Sequence, residues 1–235
     1  FETSWVEPLS INYRGYDVVE LPPSGQGMVA LMALNVLNNY NVTERNTEYY
    51  HNVFEAMKIG FADGIHYITD PKMMTINHKD LLRPAYGQKR YKQITEKAQI
   101  FTEDNPYQSG TVYFCSADKD GNMVSMIQSN YMGFGSGIVV KDTGISLQNR
   151  GADFKLDENH INCLAPHKRT YHTIIPGLLM KDDNCVGVFG VMGGYMQPQG
   201  HVQVISNLID FNLNPQMALD CPRWQWMKEK QFAVE

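Results

Sequence analysis

Apolar residues along the chain follow a helical spacing first and a strand-like alternation later. The run from Met28 to Leu37 is apolar almost throughout and predicts a buried helix that ends at Asn38. In residues 47–63, apolar side chains recur three, four, seven and eleven positions after the first, which places them on one face of a second helix. Upstream, residues 13–21 are strand-like and stop at the turn cluster LPPSGQG, residues 21–27.

Residues 70–108 are polar and mixed, with prolines as breakers at 71, 84 and 106. A short exposed helix is predicted for residues 89–97. The sequence FTEDNPYQSG that ends this stretch predicts an exposed loop.

From residue 111 the pattern changes to short strands separated by turns. Asp118 to Asn122 contains Asp-Gly, a strong hairpin signal, between predicted strands 111–117 and 123–129. Further elements are strands at 138–140, 173–181 and 186–191, a turn at 181–184, and helices at 202–209 and 215–219. Helices, then strands, then helices favour a layered α+β fold over a βαβ repeat.

Composition narrows the class of protein. The chain has 235 residues, of which 43% are hydrophobic and 19% are charged, with a net charge of −5. These values exclude an intrinsically disordered chain, and the mildly acidic balance gives no nucleic-acid footprint. The longest apolar run, Met28 to Leu34, has seven residues, so no transmembrane helix is predicted. The length suits one domain with a sizeable core.

The four cysteines, at 115, 163, 185 and 221, form no CxxC pair. Free thiols are favoured over disulfides, and a cytoplasmic location is slightly favoured, with export left open. The chain begins at Phe1 within a strand-like stretch and ends at Glu235 in another, so we expect it to be part of a longer protein.

The first candidate for chemistry is Thr111, which opens a strand directly after Gly110 and a polar loop. Threonine is a common strand former, so the position has a purely structural interpretation. The functional interpretation is an N-terminal nucleophile. Cutting the Gly110–Thr111 bond would free an α-amine that takes the proton of the hydroxyl on the same residue.

Three other patterns invite a chemical interpretation. Gly193-Gly194 is either a tight turn or an oxyanion hole built from backbone N–H groups. GFGSG, residues 133–137, is followed by a strand rather than a helix, which favours a turn lining a cleft over a nucleotide loop. The set His160, Cys163, His167 and His172 matches no common zinc spacing, so no metal is predicted.

Long blocks of this sequence resemble γ-glutamyltransferases. The run TVYFCSADKDGNMVSMIQSNYMGFGSGIVVKDTGISLQNRGADF resembles the start of that family's small subunit, and LAPHKRTYHTIIPG, FGVMGGYMQPQGH and ALDCPRW continue it in order. Upstream, YRGYDVVELPPSGQG and EAMKIGFADGIHYITDP resemble the end of the large subunit. The resemblance implies the four-layer αββα sandwich of N-terminal-nucleophile hydrolases, which is α+β. It also implies a precursor that cuts itself into a large-subunit part, residues 1–110, and a small-subunit part, residues 111–235, within one domain.

The resemblance assigns the catalytic roles. Thr111 corresponds to the nucleophile, which first attacks the Gly110 carbonyl and later the substrate amide. Ser129 corresponds to a threonine that hydrogen-bonds the nucleophile's amine. Gly193 and Gly194 correspond to the oxyanion glycines.

The substrate-binding shell departs from the family. Asp153 corresponds to the carboxylate that holds the substrate's α-ammonium group. Beside it, Tyr131 replaces an asparagine, although Asn130 adjoins it, Arg150 replaces a glutamine, and His172-Thr173 replaces a Ser-Ser pair that grips the α-carboxylate. We expect Arg150 to pair with Asp153 and neutralise it, which predicts altered acyl specificity. The alternative is that Arg150 and His172 bind the same carboxylate differently.

The resemblance therefore predicts an amidohydrolase or acyltransferase for γ-glutamyl or related acyl amides, without a cofactor, as in glutathione metabolism. Water, an amino acid or a peptide would accept the acyl group, and the two cleavage products would stay tightly paired. The alternatives are an acylase for a non-glutamyl side chain and a non-catalytic homologue that binds a small acid.

Overall fold

The structure, a computed structural model, describes residues 3–101 and 110–235. The helices are α1 (Gly27–Leu37), α2 (Thr47–Tyr67), α3 (Pro84–Tyr91), α4 (Met196–Ile209) and α5 (Pro215–Asp220). The strands are β1 (Leu9–Tyr13), β2 (Tyr16–Glu20), β3 (Gly110–Ala117), β4 (Met123–Tyr131), β5 (Gly177–Lys181), β6 (Asn184–Phe189), β7 (Trp224–Lys228) and β8 (Gln231–Val234). Short 3₁₀ helices cover Pro71–Met73, His78–Leu82 and Arg150–Asp153.

Helix α1 is the centre of the core. All eleven of its residues are buried, as its nearly continuous apolar sequence predicts. It contacts α2, α3, α4 and the hairpin β1–β2. Helix α2 approaches it closely at Gly60, where an added Cβ would lie 2.8 Å from the carbonyl oxygen of Val29. This close contact fixes the helical layer that supports the sheet.

The main sheet is antiparallel, with the strand order β1-β2-β5-β6. Two-residue turns connect its hairpins, at Arg14-Gly15 (φ 52° and 88°) and at Asp182-Asp183 (φ 48° and 62°). Positive φ at both turn positions gives the twist that two-residue hairpins need. The second turn confirms the one predicted at 181–184.

Strands β3 and β4 form a separate two-stranded hairpin. Its turn is closed by Asp118, whose Oδ1 accepts hydrogen bonds from the backbone N–H groups of Asp120 and Asn122, both at 2.9 Å. The predicted Asp-Gly hairpin is thus confirmed. It sets the register that places Thr111 near the end of β4.

The strand predicted at 138–140 is wrong. The preceding glycines, Gly133, Gly135 and Gly137, have φ of 49°, 70° and 73°, which turn the backbone away from an extended course. The segment keeps a single bridge, from Val139 to Ser146.

Proline explains two further differences. The helix predicted at 89–97 instead occupies Pro84–Tyr91, because a proline at the first helical position starts a helix rather than breaking it. The strand predicted at 173–181 is confirmed only from Gly177, directly after Pro176, which has no N–H to donate to a ladder.

Two sequence-level expectations concern the chain as a whole. All four cysteines are free thiols, as the favoured interpretation predicted. Among the described residues, no helix combines the length and the apolar character needed to cross a bilayer.

Candidate active site

Thr111 lies at a bulge between β3 and β4. Gly110 pairs with Tyr131 and Val112 pairs with Gln128, so two residues of β4, Ser129 and Asn130, stand opposite Thr111 alone. A bulge of this kind re-aims the side chain on its strand. The Thr111 hydroxyl oxygen is buried and has no hydrogen-bond partner among the described residues.

The two residues opposite Thr111 are held by neighbouring segments. The Ser129 hydroxyl accepts a hydrogen bond from the Tyr131 N–H at 2.9 Å, and its carbonyl accepts one from Arg150 Nη1 at 3.1 Å. The Asn130 carbonyl accepts the Asn149 N–H at 3.2 Å. These bonds join the end of β4 to the 3₁₀ helix at 150–153.

Gly193 and Gly194 form a corner between β6 and α4. Their φ angles are 117° and 60°, a region that favours glycine. An added Cβ on Gly193 would lie 2.9 Å from the Met196 Cβ. The corner opens the 14-residue helix α4, whose N-terminal end favours negative charge. The arrangement can therefore stabilise a developing anion.

Packing brings the β3–β4 hairpin against the strand that leads to this corner. An added Cβ on Gly190 would lie 2.2 Å from the Tyr113 ring, so β3 rests directly on the residue after β6. The Ser125 hydroxyl of β4 also donates to the Phe189 carbonyl at 3.4 Å. Thr111 precedes Tyr113 by two residues, and Gly193 follows Gly190 by three.

Asp153 is buried, with 8% of its surface exposed, and is held by tyrosines. Its Oδ1 accepts the Tyr131 hydroxyl at 2.7 Å and the Tyr195 hydroxyl at a long 3.5 Å, while its Oδ2 is buried without a hydrogen-bond partner among the described residues. Burial raises the pKa of Asp153 to about 6, and the Tyr131 hydrogen bond and the nearby charge of Arg150 limit this rise. The carboxylate is thus poised to change protonation state in mildly acidic solution.

The expected ion pair between Arg150 and Asp153 is not formed within the described residues. Arg150 is 1% exposed; its Nε donates to the Thr173 hydroxyl at 3.2 Å and its Nη1 to the Ser129 carbonyl. Its guanidinium also lies 5.4 Å from the centre of the Tyr131 ring. Tyr131 therefore contacts both charges, with its ring on the cation and its hydroxyl on the carboxylate.

His172 and Thr173 lie beside the turn that precedes α1. The His172 N–H donates to the Ser24 carbonyl and its carbonyl accepts the Gln26 N–H, both at 3.0 Å. Burial, followed by repulsion from Arg150, lowers the pKa of His172 to about 4. The imidazole is therefore neutral at pH 7, and the positive charge at this point comes from Arg150.

A cavity of about 810 Å³ opens at this group of residues. Arg150 and His172 line it together with the basic residues Lys168 and Arg169 and the apolar residues Phe154 and Ile174. A cavity with these walls suits a ligand that carries an apolar part and a negative charge.

The structure also locates the glycine-rich segment and the histidine–cysteine set for which the sequence predicts neither a nucleotide loop nor a metal site. GFGSG, residues 133–137, is a series of turns rather than the start of a helix. His160 is one of the four residues considered as metal ligands. Its Nδ1 accepts a hydrogen bond from the Asn162 N–H, at 2.9 Å. The described residues contain no group of three or more potential metal ligands.

Sequence reasoning missed Gln26 and Tyr195. Gln26 is fully buried and bonds the corner at Gly194, and Tyr195 contacts Asp153. The one signal for Gln26 is a long polar side chain directly before a helix whose residues are nearly all apolar. Tyr195 follows the glycine pair but carries no distinctive spacing.

Several known proteins resemble this chain over nearly its whole length. The Glutathione hydrolase-like YwrD proenzyme of Bacillus subtilis (strain 168) is 43% identical over 225 residues, 94% of this chain and 43% of that protein. The Oxamate amidohydrolase proenzyme of Klebsiella pneumoniae is 34% identical over 218 residues, 92% of this chain and 41% of that protein. The crystal structure of cephalosporin acylase from Bacillus halodurans shares 57% identity with a TM-score of 0.92, covering 98% of this chain and 42% of that one.

The structural agreement confirms the predicted α+β fold of the N-terminal-nucleophile hydrolases. Residues 1–235 match the family described as gamma-glutamyltranspeptidase, and the chain belongs to that family. It spans about two fifths of the length of the curated relatives it matches.

Proposed function

We propose that this chain is the catalytic portion of an amidohydrolase or acyltransferase that uses Thr111 as an N-terminal nucleophile. The observation that carries the proposal is the Thr111 hydroxyl, buried at a strand bulge without a partner among the described residues. Leaving a buried hydroxyl unbonded costs roughly 1–3 kcal/mol. Such a cost calls for an explanation, and a nucleophile awaiting a reaction partner supplies one.

The first reaction would be self-cleavage. The Thr111 Oγ attacks the Gly110 carbonyl carbon, the C–N bond breaks, and the hydroxyl proton passes to the Thr111 nitrogen. Water then hydrolyses the ester, so that residues 1–110 end in a carboxylate and residues 111–235 begin with an amine. The relatives from Bacillus subtilis and Klebsiella pneumoniae are named as proenzymes, which supports this step. The two products would remain paired as one domain.

The second reaction would use the new amine as the base. With an ordinary pKa of about 8, it takes the hydroxyl proton as the Oγ attacks a substrate amide. The N–H groups of Gly193 and Gly194, at the start of α4, would stabilise the tetrahedral oxyanion. The leaving amine takes the proton, and water or an amino acid then accepts the acyl group from Thr111. Ser129, opposite Thr111, would orient the amine.

The substrate would be a γ-glutamyl or related acyl amide whose end group meets Asp153, Arg150 and the His172–Thr173 segment. One observation favours an acylase with another side chain as a second candidate. His172 is an imidazole that is neutral at pH 7, and the Thr173 hydroxyl is buried and accepts Arg150 Nε, so only one hydroxyl stands where classical members have two. The relative of 57% identity is described as a cephalosporin acylase, which agrees with this candidate.

The test is denaturing mass spectrometry of the full-length protein. We expect a fragment that begins at Thr111, slower cleavage in Thr111→Ser, and none in Thr111→Ala, with the exposed Thr143→Ala as the control. Cleavage at the same bond in Thr111→Ala would refute the proposal. A folded wild type that never splits would leave a non-catalytic homologue.

Activity assays separate the substrate classes. A γ-glutamyl anilide and a glutaryl anilide differ only in the α-ammonium group, so their relative rates report the role of Asp153. Added glycylglycine distinguishes transfer from hydrolysis. For an α-amine base with a pKa of about 8, the rate should be half-maximal near pH 8 and level off about one to two pH units higher.

A further inference from the structure

The strongest feature outside the assigned residues is the side chain of Gln26. It lies in the turn between β2 and α1 and is fully buried. The backbone carbonyl of Gln26 accepts the Val29 N–H at 2.9 Å, and the backbone N–H of Gln26 donates to the His172 carbonyl at 3.0 Å. These two hydrogen bonds hold the backbone of Gln26 independently of its side chain.

The side-chain amide of Gln26 bridges two parts of the candidate site. Its Nε2 donates to the Thr173 carbonyl at 2.6 Å and to the Gly194 carbonyl at 2.8 Å. Its Oε1 accepts the Tyr171 hydroxyl at 3.2 Å. Both N–H donors of the amide are used, and their geometry admits only one orientation of the group.

The bond to Gly194 matters because glycine has few restraints of its own. The Gly194 carbonyl also accepts the Gln197 N–H, at 3.1 Å. Two donors from different elements therefore fix the peptide plane that follows Gly194, and this restricts rotation about a residue with φ of 60°. The Gly194 N–H belongs to the preceding peptide plane and is separated from the restrained plane by the φ and ψ bonds of Gly194 alone, so the restraint also limits the directions this N–H can take.

We propose that Gln26 is a positioning residue that holds the Gly193–Gly194 corner in register with the Thr173 segment. The inference rests on the proposed function, because it assigns the corner to the oxyanion. Through Thr173, whose hydroxyl accepts Arg150 Nε, the same amide also sets the position of the recognition residues. A misplacement of about 1 Å at such a site lowers rates roughly 100-fold.

The variant Gln26→Glu keeps the shape and replaces the amide donors with a carboxyl that faces two carbonyl oxygens. The matched control is Gln203→Glu. Gln203 is also buried. Its side-chain oxygen accepts the Trp224 N–H at 3.0 Å and its side-chain nitrogen donates to the Trp224 carbonyl at 2.9 Å, away from the corner. Both variants remove a buried amide from α4 or its surroundings, so general destabilisation should be similar.

We expect Gln26→Glu, once processed, to lose about 10–100-fold in kcat on the anilide substrate, with KM changed less. Gln203→Glu should stay within about twofold of the wild type at a matched unfolding midpoint. Equal losses in the two variants, or a Gln26→Glu enzyme with unchanged kcat, would overturn the inference.

Hydrogen exchange supplies a readout that does not need turnover. Amides of residues 191–197 should exchange faster in Gln26→Glu and be unchanged in Gln203→Glu. If the wild type neither splits nor turns over, the proposed function fails, while exchange still decides whether Gln26 holds the corner. Unchanged protection at 191–197 would contradict the positioning role.

Discussion

Two buried acid–base pairs in this chain have the same sequence spacing and opposite outcomes. In α2, Glu55 and Lys58 are three residues apart, and their Oε1 and Nζ atoms lie 2.5 Å apart. In the 3₁₀ helix at 150–153, Arg150 and Asp153 are also three residues apart but form no ion pair within the described residues. We call the Glu55–Lys58 pair the closed pair, because its two charged groups contact each other, and the Arg150–Asp153 pair the open pair, because its charged groups do not.

The closed pair also holds its neighbours. Lys58 Nζ donates to the Gln99 carbonyl at 2.7 Å, and the Gln99 N–H donates to Glu55 Oε2 at 3.3 Å. The open pair leaves Arg150 Nη2 and Asp153 Oδ2 buried without hydrogen-bond partners among the described residues. A buried polar atom without a partner calls for an explanation, and a functional role is one such explanation. The difference supports the proposal that the second pair belongs to a functional site, whereas the first pair holds the scaffold together.

The largest expected effect comes from breaking the closed pair. Lys58→Met should lower the free energy of unfolding by about 3–5 kcal/mol, because it leaves the Glu55 carboxylate buried without its partner. The double variant Glu55→Gln, Lys58→Met should recover part of the loss. Urea unfolding of the full-length protein measures both.

The control is a third pair of the same spacing, Asp80 and Arg83, whose side chains are 50% and 71% exposed. Arg83→Met should cost no more than about 1 kcal/mol. A similar loss for Arg83→Met and Lys58→Met would show that burial does not separate the pairs.

The sequence predicts these regions unequally. Helices α1 and α2 follow from apolar spacing, and the β3–β4 turn follows from Asp-Gly, because each signal is local. The contacts of Arg150 and Asp153 depend on Tyr131, about twenty residues away, whose backbone has a φ of 76°. No local pattern predicts that conformation in a tyrosine. Local patterns single out Thr111 and Gly193-Gly194 as candidates, whereas family resemblance assigns the other site residues, and all their catalytic roles stay predictions.

The open pair should show itself in the pH dependence of stability. Because the pKa of Asp153 is raised to about 6 from an ordinary value near 4, its contribution is fully present below pH 4 and is lost as the pH rises through 6. The loss should be roughly 2–3 kcal/mol. Asp153→Asn should abolish it, as measured by urea unfolding from pH 4 to 7.

The comparison must be made as wild type minus variant. The lowered pKa of His172 acts with the opposite sign, since its contribution is present above pH 6.5 and is lost as the pH falls through about 4. Subtraction removes this term to the extent that the two sites are independent. A difference that is flat from pH 4 to 7 would show that Asp153 titrates normally.

The smallest effect sharpens the role of Tyr131. Tyr131→Phe keeps the ring beside Arg150 and removes the hydroxyl that donates to Asp153 at 2.7 Å. Loss of a donor to a carboxylate raises the pKa of that carboxylate. The pH window, meaning the pH range over which the stability contribution of Asp153 is lost, should therefore move upward by about one unit. The free energy of unfolding at pH 7 should fall by roughly 1–2 kcal/mol. The cost stays modest because Asp153 can take up a proton instead of remaining charged.

Tyr195→Phe is the matched control, because its hydroxyl reaches the same oxygen at only 3.5 Å. It should move the window by a few tenths of a unit at most, since hydrogen bonds of this length are weak. If the two variants shift the window equally, Tyr131 is not the group that keeps Asp153 ionised. The open pair would then owe its state to Arg150 alone, and an Arg150→Met variant should raise the window more than either tyrosine change.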